Sequence, residues 1–126
     1  METNDFHEIF ECIKKLLVSY SKKLDVRVDK EGNYHLYIVK NLELAGRKFK
    51  EIYFSGTVIQ KTMVSFYFFP YYTHPDKFII PDPIRKNLKG KNCFNFKKLD
   101  DWQQKEIAQL LQEGYELYKK QFQLSQ

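Results

Sequence analysis

Apolar and polar positions change period twice along this chain. Phe6, Ile9, Phe10, Ile13, Leu16, Leu17 and Tyr20 share one stripe at helical spacing and predict a first helix. Asp5 supplies its N-cap and Glu8 a reciprocal partner, while Lys22 and Lys23 suit the negative C-terminal end. The period then falls to two. Leu24, Val26 and Val28 alternate with Asp25, Arg27 and Asp29, so a strand with one buried side is expected. Lys30-Glu31-Gly32-Asn33 reads as a hairpin turn, and Tyr34 to Val39 as the return strand.

Asn41 to Gly46 reads as a loop, Phe49 to Phe54 as a third strand broken by Ser55-Gly56, and Met63 to Phe69 as a fourth ended by Pro70. The runs YHLYIV and FYFF are apolar on both sides, which implies central strands covered, at least in part, on both faces. A short helical turn is expected near Pro83, and a fifth strand over Asn92 to Phe96. Period 3.6 returns after Asp100, an N-cap with Gln103 as its capping-box partner. Ile107, Leu110, Leu111, Gly114, Leu117 and Tyr118 form the inner stripe of that helix. Gly114 costs about 1 kcal/mol against Ala in mid-helix and implies close approach to a sheet. The order predicts an α+β fold: an antiparallel sheet of about five strands with two long terminal helices packed on one face. No linker or repeat divides residues 1–126, so one domain is expected.

Composition adds little until charge is placed along the chain. Residues 40–98 hold 12 bases against 4 acids, together with 12 of the 21 aromatics. A basic region with interleaved aromatics suits phosphate or single-stranded nucleic acid; a lysine-rich solvated face over an aromatic core is the simpler alternative. No stretch reaches the ~18 apolar residues that span a bilayer, so no membrane partner is expected. The first residues carry acids ahead of any base and no cleavage pattern, and Cys12 and Cys93 do not form a disulfide framework. A reduced cytoplasmic protein with two packed thiols follows from these features.

The search for chemistry finds no nucleophile motif, no P-loop and no His or Cys pair at zinc spacing, so no enzyme and no cofactor are expected from the residues themselves. Glu2, Asp5, Glu8 and Glu11 recur every three residues on the first helix. Such a row either supports the positive helix end or offers a hard cation a few ligands, with Asp25, Asp29 and Glu31 extending the acidic edge. Lys89-Gly90-Lys91 reads as a hairpin turn or an anion-binding turn. Tyr71-Tyr72-Thr73-His74 reads as loop packing or a pocket wall with His74 as a proton carrier. The ligand-binding candidates are therefore Tyr72, His74, Lys89 and Lys91. An anion or nucleic-acid binder would draw further on Lys86, Lys97 and Lys98.

FYFFPYYTHPD at 66–76, KGKNCFNFKKLDD at 89–101 and GYELYKK at 114–120 resemble the YdhG-like family of small bacterial domains of unknown function. The likeness is strongest over roughly residues 60–120. The resemblance implies a curved antiparallel sheet with two long helices, in a frataxin-like sandwich. It also implies, through a frataxin-like iron-chaperone branch, weak iron binding at Glu8 and Glu11 with Asp5 and Asp25. The expected function is a non-enzymatic binding or chaperone domain for a protein partner or small ligand, with iron handling as one version. Anion or nucleic-acid binding through residues 63–99 is the alternative.

Overall fold

A computed structural model describes residues 2–124 of the chain. The first strand, β1 (Glu2–Thr3), precedes helix α1 (Phe6–Val18). Four strands follow: β2 (Asp25–Lys30), β3 (Asn33–Leu44), β4 (Arg47–Ile59) and β5 (Val64–Phe68). Short helices α2 (Phe69–Thr73) and α3 (Asp82–Arg85) flank a 3-10 turn at Pro75–Lys77. Strands β6 (Leu88–Lys89), β7 (Cys93–Phe96) and β8 (Leu99–Asp100) then lead into helix α4 (Asp101–Gln121). The main sheet is antiparallel throughout, in the order β2-β3-β4-β5-β7-β6, and β1 pairs separately with β8. The α+β class and the antiparallel sheet are as expected. The sheet has six strands rather than about five, because two-residue β6 pairs with β7 at its edge.

Both long helices begin where their caps dictate. The Asp5 carboxylate accepts the Glu8 amide at 3.1 Å, and at α4 Asp100 and Gln103 exchange both capping-box bonds. At the other end of α4, the Lys40 ammonium donates to the carbonyls of Phe122 (2.8 Å) and Gln123 (2.6 Å), where the helix leaves acceptors unpaired. The helices bury Ile9, Phe10, Ile13 and Leu17 of α1 and Ile107, Leu111, Tyr115 and Tyr118 of α4 against one face of the sheet. Phe54 lies under α4 and the turn that follows α1, its ring 5.9 Å from Tyr20, 6.4 Å from Tyr115 and 6.3 Å from Tyr118. A Cβ on Gly114 would lie 2.5 Å from Cζ of Phe68, so the glycine does set the close approach of helix to sheet.

Three expectations need correction. Asn41 to Gly46 is not a loop. β3 continues to Leu44 and turns through Ala45 (φ 53°) and Gly46 (φ 78°), the two left-handed residues of a tight hairpin, into Arg47. Nor does Ser55-Gly56 end a strand, since β4 runs on to Ile59. The pairing of Leu36 with Ser55 and of Tyr37 with Tyr53 leaves Phe54 as the extra residue of a bulge, so Phe54 and Ser55 are both fully buried. Ser55 and Thr57 stay in the sheet because each hydroxyl donates to a β5 carbonyl, of Tyr67 and of Ser65. The third correction concerns the outer face. α2 reaches one end of it, with Phe69 5.9 Å from Tyr53, whereas α1 packs on β4 and β5 from the opposite face. On that outer face His35, Tyr37, Tyr53 and Tyr67 are polar-tipped rings that tolerate water while covering one another.

Candidate ligand-binding face

One row of paired residues crosses the open face. His35 of β3 pairs with Gly56 of β4, Gly56 with Tyr67 of β5, Tyr67 with Cys93 of β7, and Cys93 with Lys89 of β6. Directly paired residues share a face, so the row spans about 19 Å at the usual strand spacing. A second row on the same face joins Asn33, Val58, Ser65 and Asn95.

Gly56 is the floor of this surface. The His35 Nδ1 and the Tyr53 hydroxyl share a hydrogen bond of 2.8 Å above it. A Cβ at Gly56 would come within 2.1 Å of that nitrogen, 2.5 Å of that hydroxyl and 2.6 Å of the Tyr34 carbonyl oxygen. The result is a shallow depression of about 330 Å3 lined by His35, Tyr37, Tyr53, Val58 and Tyr67. The ring of Tyr37 lies 5.1 Å from Tyr53, and the ring of His35 lies 6.3 Å from Tyr67. Burial lowers the pKa of His35 and pushes the Tyr53 phenol far above its ordinary range, so both groups are neutral near pH 7.

Cations stand at two sides of these rings. The Arg27 guanidinium lies 4.6 Å from the centre of Tyr37 and pairs with Glu51 at 2.7 Å. That contact holds the Glu51 carboxyl below its ordinary value. The Lys91 ammonium lies 5.6 Å from the centre of Tyr72, whose ring stacks on Phe69 at 5.2 Å. Cys93 donates to the Asn95 side-chain oxygen at 3.3 Å, and burial pushes its thiol upward, in keeping with a packed rather than reactive cysteine.

The sequence candidates separate. Tyr72 belongs to the open face. His74 turns toward the helix layer, where its Nδ1 lies 2.8 Å from the Thr73 hydroxyl and its ring 6.0 Å from Tyr118. The two therefore do not form one pocket wall. Lys89 and Lys91 flank Gly90 (φ 71°) and diverge: Lys91 lies on Tyr72, whereas Lys89 joins Lys86, Lys97 and Lys98 around a depression of about 810 Å3 beside Trp102. On α1, Asp5 is engaged as the N-cap and Glu8 accepts the Thr3 hydroxyl, while Glu11 is exposed. Asp25 begins β2 beyond the opposite end of α1, about 20 Å of helix away from Asp5. Among the described residues, no three His, Cys, Asp or Glu side chains gather as a metal site.

His35, Tyr37, Tyr53, Tyr67 and Trp102 lie outside the candidates that the sequence offers. Polar-tipped rings at alternate positions 35 and 37, and a glycine inside a strand pattern at 56, are the signals that mark them. Compared with known proteins, the chain matches no family model, no curated protein and no solved structure. No described helix is long and apolar enough to cross a membrane.

Proposed function

We propose that this chain is a non-enzymatic binding domain whose ligand lies on the open aromatic face of the sheet and presents a flat unsaturated ring to it. The observation that carries this reading is the depression over Gly56, where His35, Tyr37, Tyr53 and Tyr67 stand half-buried with Arg27 beside them. Ring faces attract flat partners and cations, and the polar tips fix orientation. Binding suits this site better than catalysis. A general base works best with a pKa near the operating pH, whereas burial moves His35 and Tyr53 in opposite directions away from it. The α1 acids are the weaker candidate surface, because Asp5 and Glu8 already serve the helix and its neighbouring strand.

The test is a two-dimensional amide NMR titration with a panel of small planar compounds. Shifts confined to the amides of residues 35, 37, 53, 56 and 67 are expected. Tyr67→Ala should abolish them while leaving the remaining spectrum dispersed. A folded protein whose shifts fall elsewhere, or that shows none across the panel, would sink the reading.

A further inference from the structure

We propose that the ligand of this face is single-stranded nucleic acid, with bases on the tyrosine rings and phosphates along the lysines that end at Trp102. This rests on the reading that the open face is the binding surface. Lys89 and Asn95 belong to the open face and also line the larger depression, so both concavities are reached from the same side of the sheet, with no lining residue in common. Around that depression Lys86, Lys89 and Lys97 have no ion pair among the described residues, and Lys98 has a loose one with Glu2 at 3.5 Å. The two carboxylates that line it are already engaged: Asp82 pairs with Arg85 at 2.8 Å, and Asp100 caps α4. Positive charge there is free to meet an external anion. Trp102, the sole tryptophan of the chain, is 66% exposed at the same place.

Charge alone would suit any polyanion. The rings discriminate, because an unpaired base offers a π face that a duplex keeps inside its stack. The row from His35 to Lys89 spans about 19 Å, enough for a run of about four nucleotides, the short end for single-strand platforms. The order along that row, from the rings of His35 and Tyr67 to the amine of Lys89, gives one chain of alternating bases and phosphates both of its partners.

Trp102 makes the test direct, since its fluorescence reports on the basic end. The probe is a uridine oligonucleotide of about eight nucleotides, against inorganic polyphosphate and a duplex of matched charge. The oligonucleotide should quench Trp102 and bind at least tenfold more tightly than either competitor. The triple variant Lys86→Gln/Lys89→Gln/Lys97→Gln should reduce the slope of log affinity against log salt by about 2. Tyr37→Ala or Tyr67→Ala should weaken binding by about 5- to 150-fold with the slope unchanged. The lysine variants alter exposed groups and keep the test valid if a tyrosine variant fails to fold. Polyphosphate binding as tightly as the oligonucleotide, with the tyrosine variants neutral, would overturn the proposal. So would a protein whose face amides shift with planar compounds while the oligonucleotide leaves Trp102 unchanged, although the face would then still be the binding surface. Silence of both the face and Trp102 would remove both readings.

Discussion

The Nδ1 of His35 and the hydroxyl of Tyr53 meet at 2.8 Å in the space that a side chain on Gly56 would need. The glycine is thus a condition of the aromatic face. Gly56→Ala forces a methyl against the ring nitrogen, the phenol and the Tyr34 carbonyl oxygen at once. The expected loss is about 1–3 kcal/mol, the usual range for overpacking, measured by denaturant unfolding. Adding His35→Ala relieves the contact at 2.1 Å but not the backbone contact at 2.6 Å, so rescue should be partial. Full rescue would show that the ring, and not the neighbouring strand, demands the glycine.

Gly114 opposes two effects of similar size. Alanine there gains about 1 kcal/mol of helix propensity. Its Cβ would also lie 2.5 and 2.7 Å from the Phe68 ring and 3.0 Å from Pro70, and Phe68 is fully buried. Overpacking of about 1–3 kcal/mol outweighs the propensity, so Gly114→Ala should lower the unfolding midpoint. In a Phe68→Leu background the obstruction is smaller, and the same change should become neutral or stabilising. A double-mutant cycle reads the sign reversal directly.

Why these two glycines differ in legibility is a matter of distance along the chain. Gly114 stands out because the helix around it announces itself by its own period and by the Asp100–Gln103 cap, all within one segment. Gly56 does not, because its reason is non-local. The bulge that places Phe54 and Ser55 on one side is set by pairing with Leu36 and Tyr37, and the buried hydroxyls of Ser55 and Thr57 are satisfied by β5. Read locally, Ser55-Gly56 looks like a strand break. The same holds for the candidate face. Tyr72 and the lysines lie in one contiguous stretch and read together as candidates, whereas His35 and Tyr37 reach the face from another hairpin. Tyr53 and Tyr67 pass as strand apolars because a ring with a polar tip counts as hydrophobic in a pattern.

His35 gives the fold a dependence on acid. Burial lowers its folded pKa below the ordinary value of 6.5, so between those two values the unfolded chain binds the extra proton. The stability contributed by neutral His35 is complete above about pH 6.5 and is lost as pH falls through the folded pKa. Unfolding free energy measured downward from neutral pH should therefore decline in this window. His35→Gln should flatten that part of the curve. A decline that persists unchanged in His35→Gln would assign the proton to another group.

Asp5 separates a structural role from metal binding. Its carboxylate accepts the Glu8 amide, and its own amide donates to the Thr3 hydroxyl at 3.1 Å, so the residue fastens the start of α1 to the β1 segment. Asp5→Ala should cost about 1 kcal/mol through the lost cap, and Asp5→Asn much less, since asparagine caps nearly as well. If the cap is the whole role, adding Fe2+ under anaerobic conditions leaves the midpoints of wild type, Asp5→Asn and Asp5→Ala equally unchanged. If the α1 acids hold iron, the metal raises the wild-type midpoint by mass action and Asp5→Asn loses that increment while keeping its metal-free stability. The asparagine variant is thus the decisive one, because it removes the charge a cation needs and retains the hydrogen bond the helix needs.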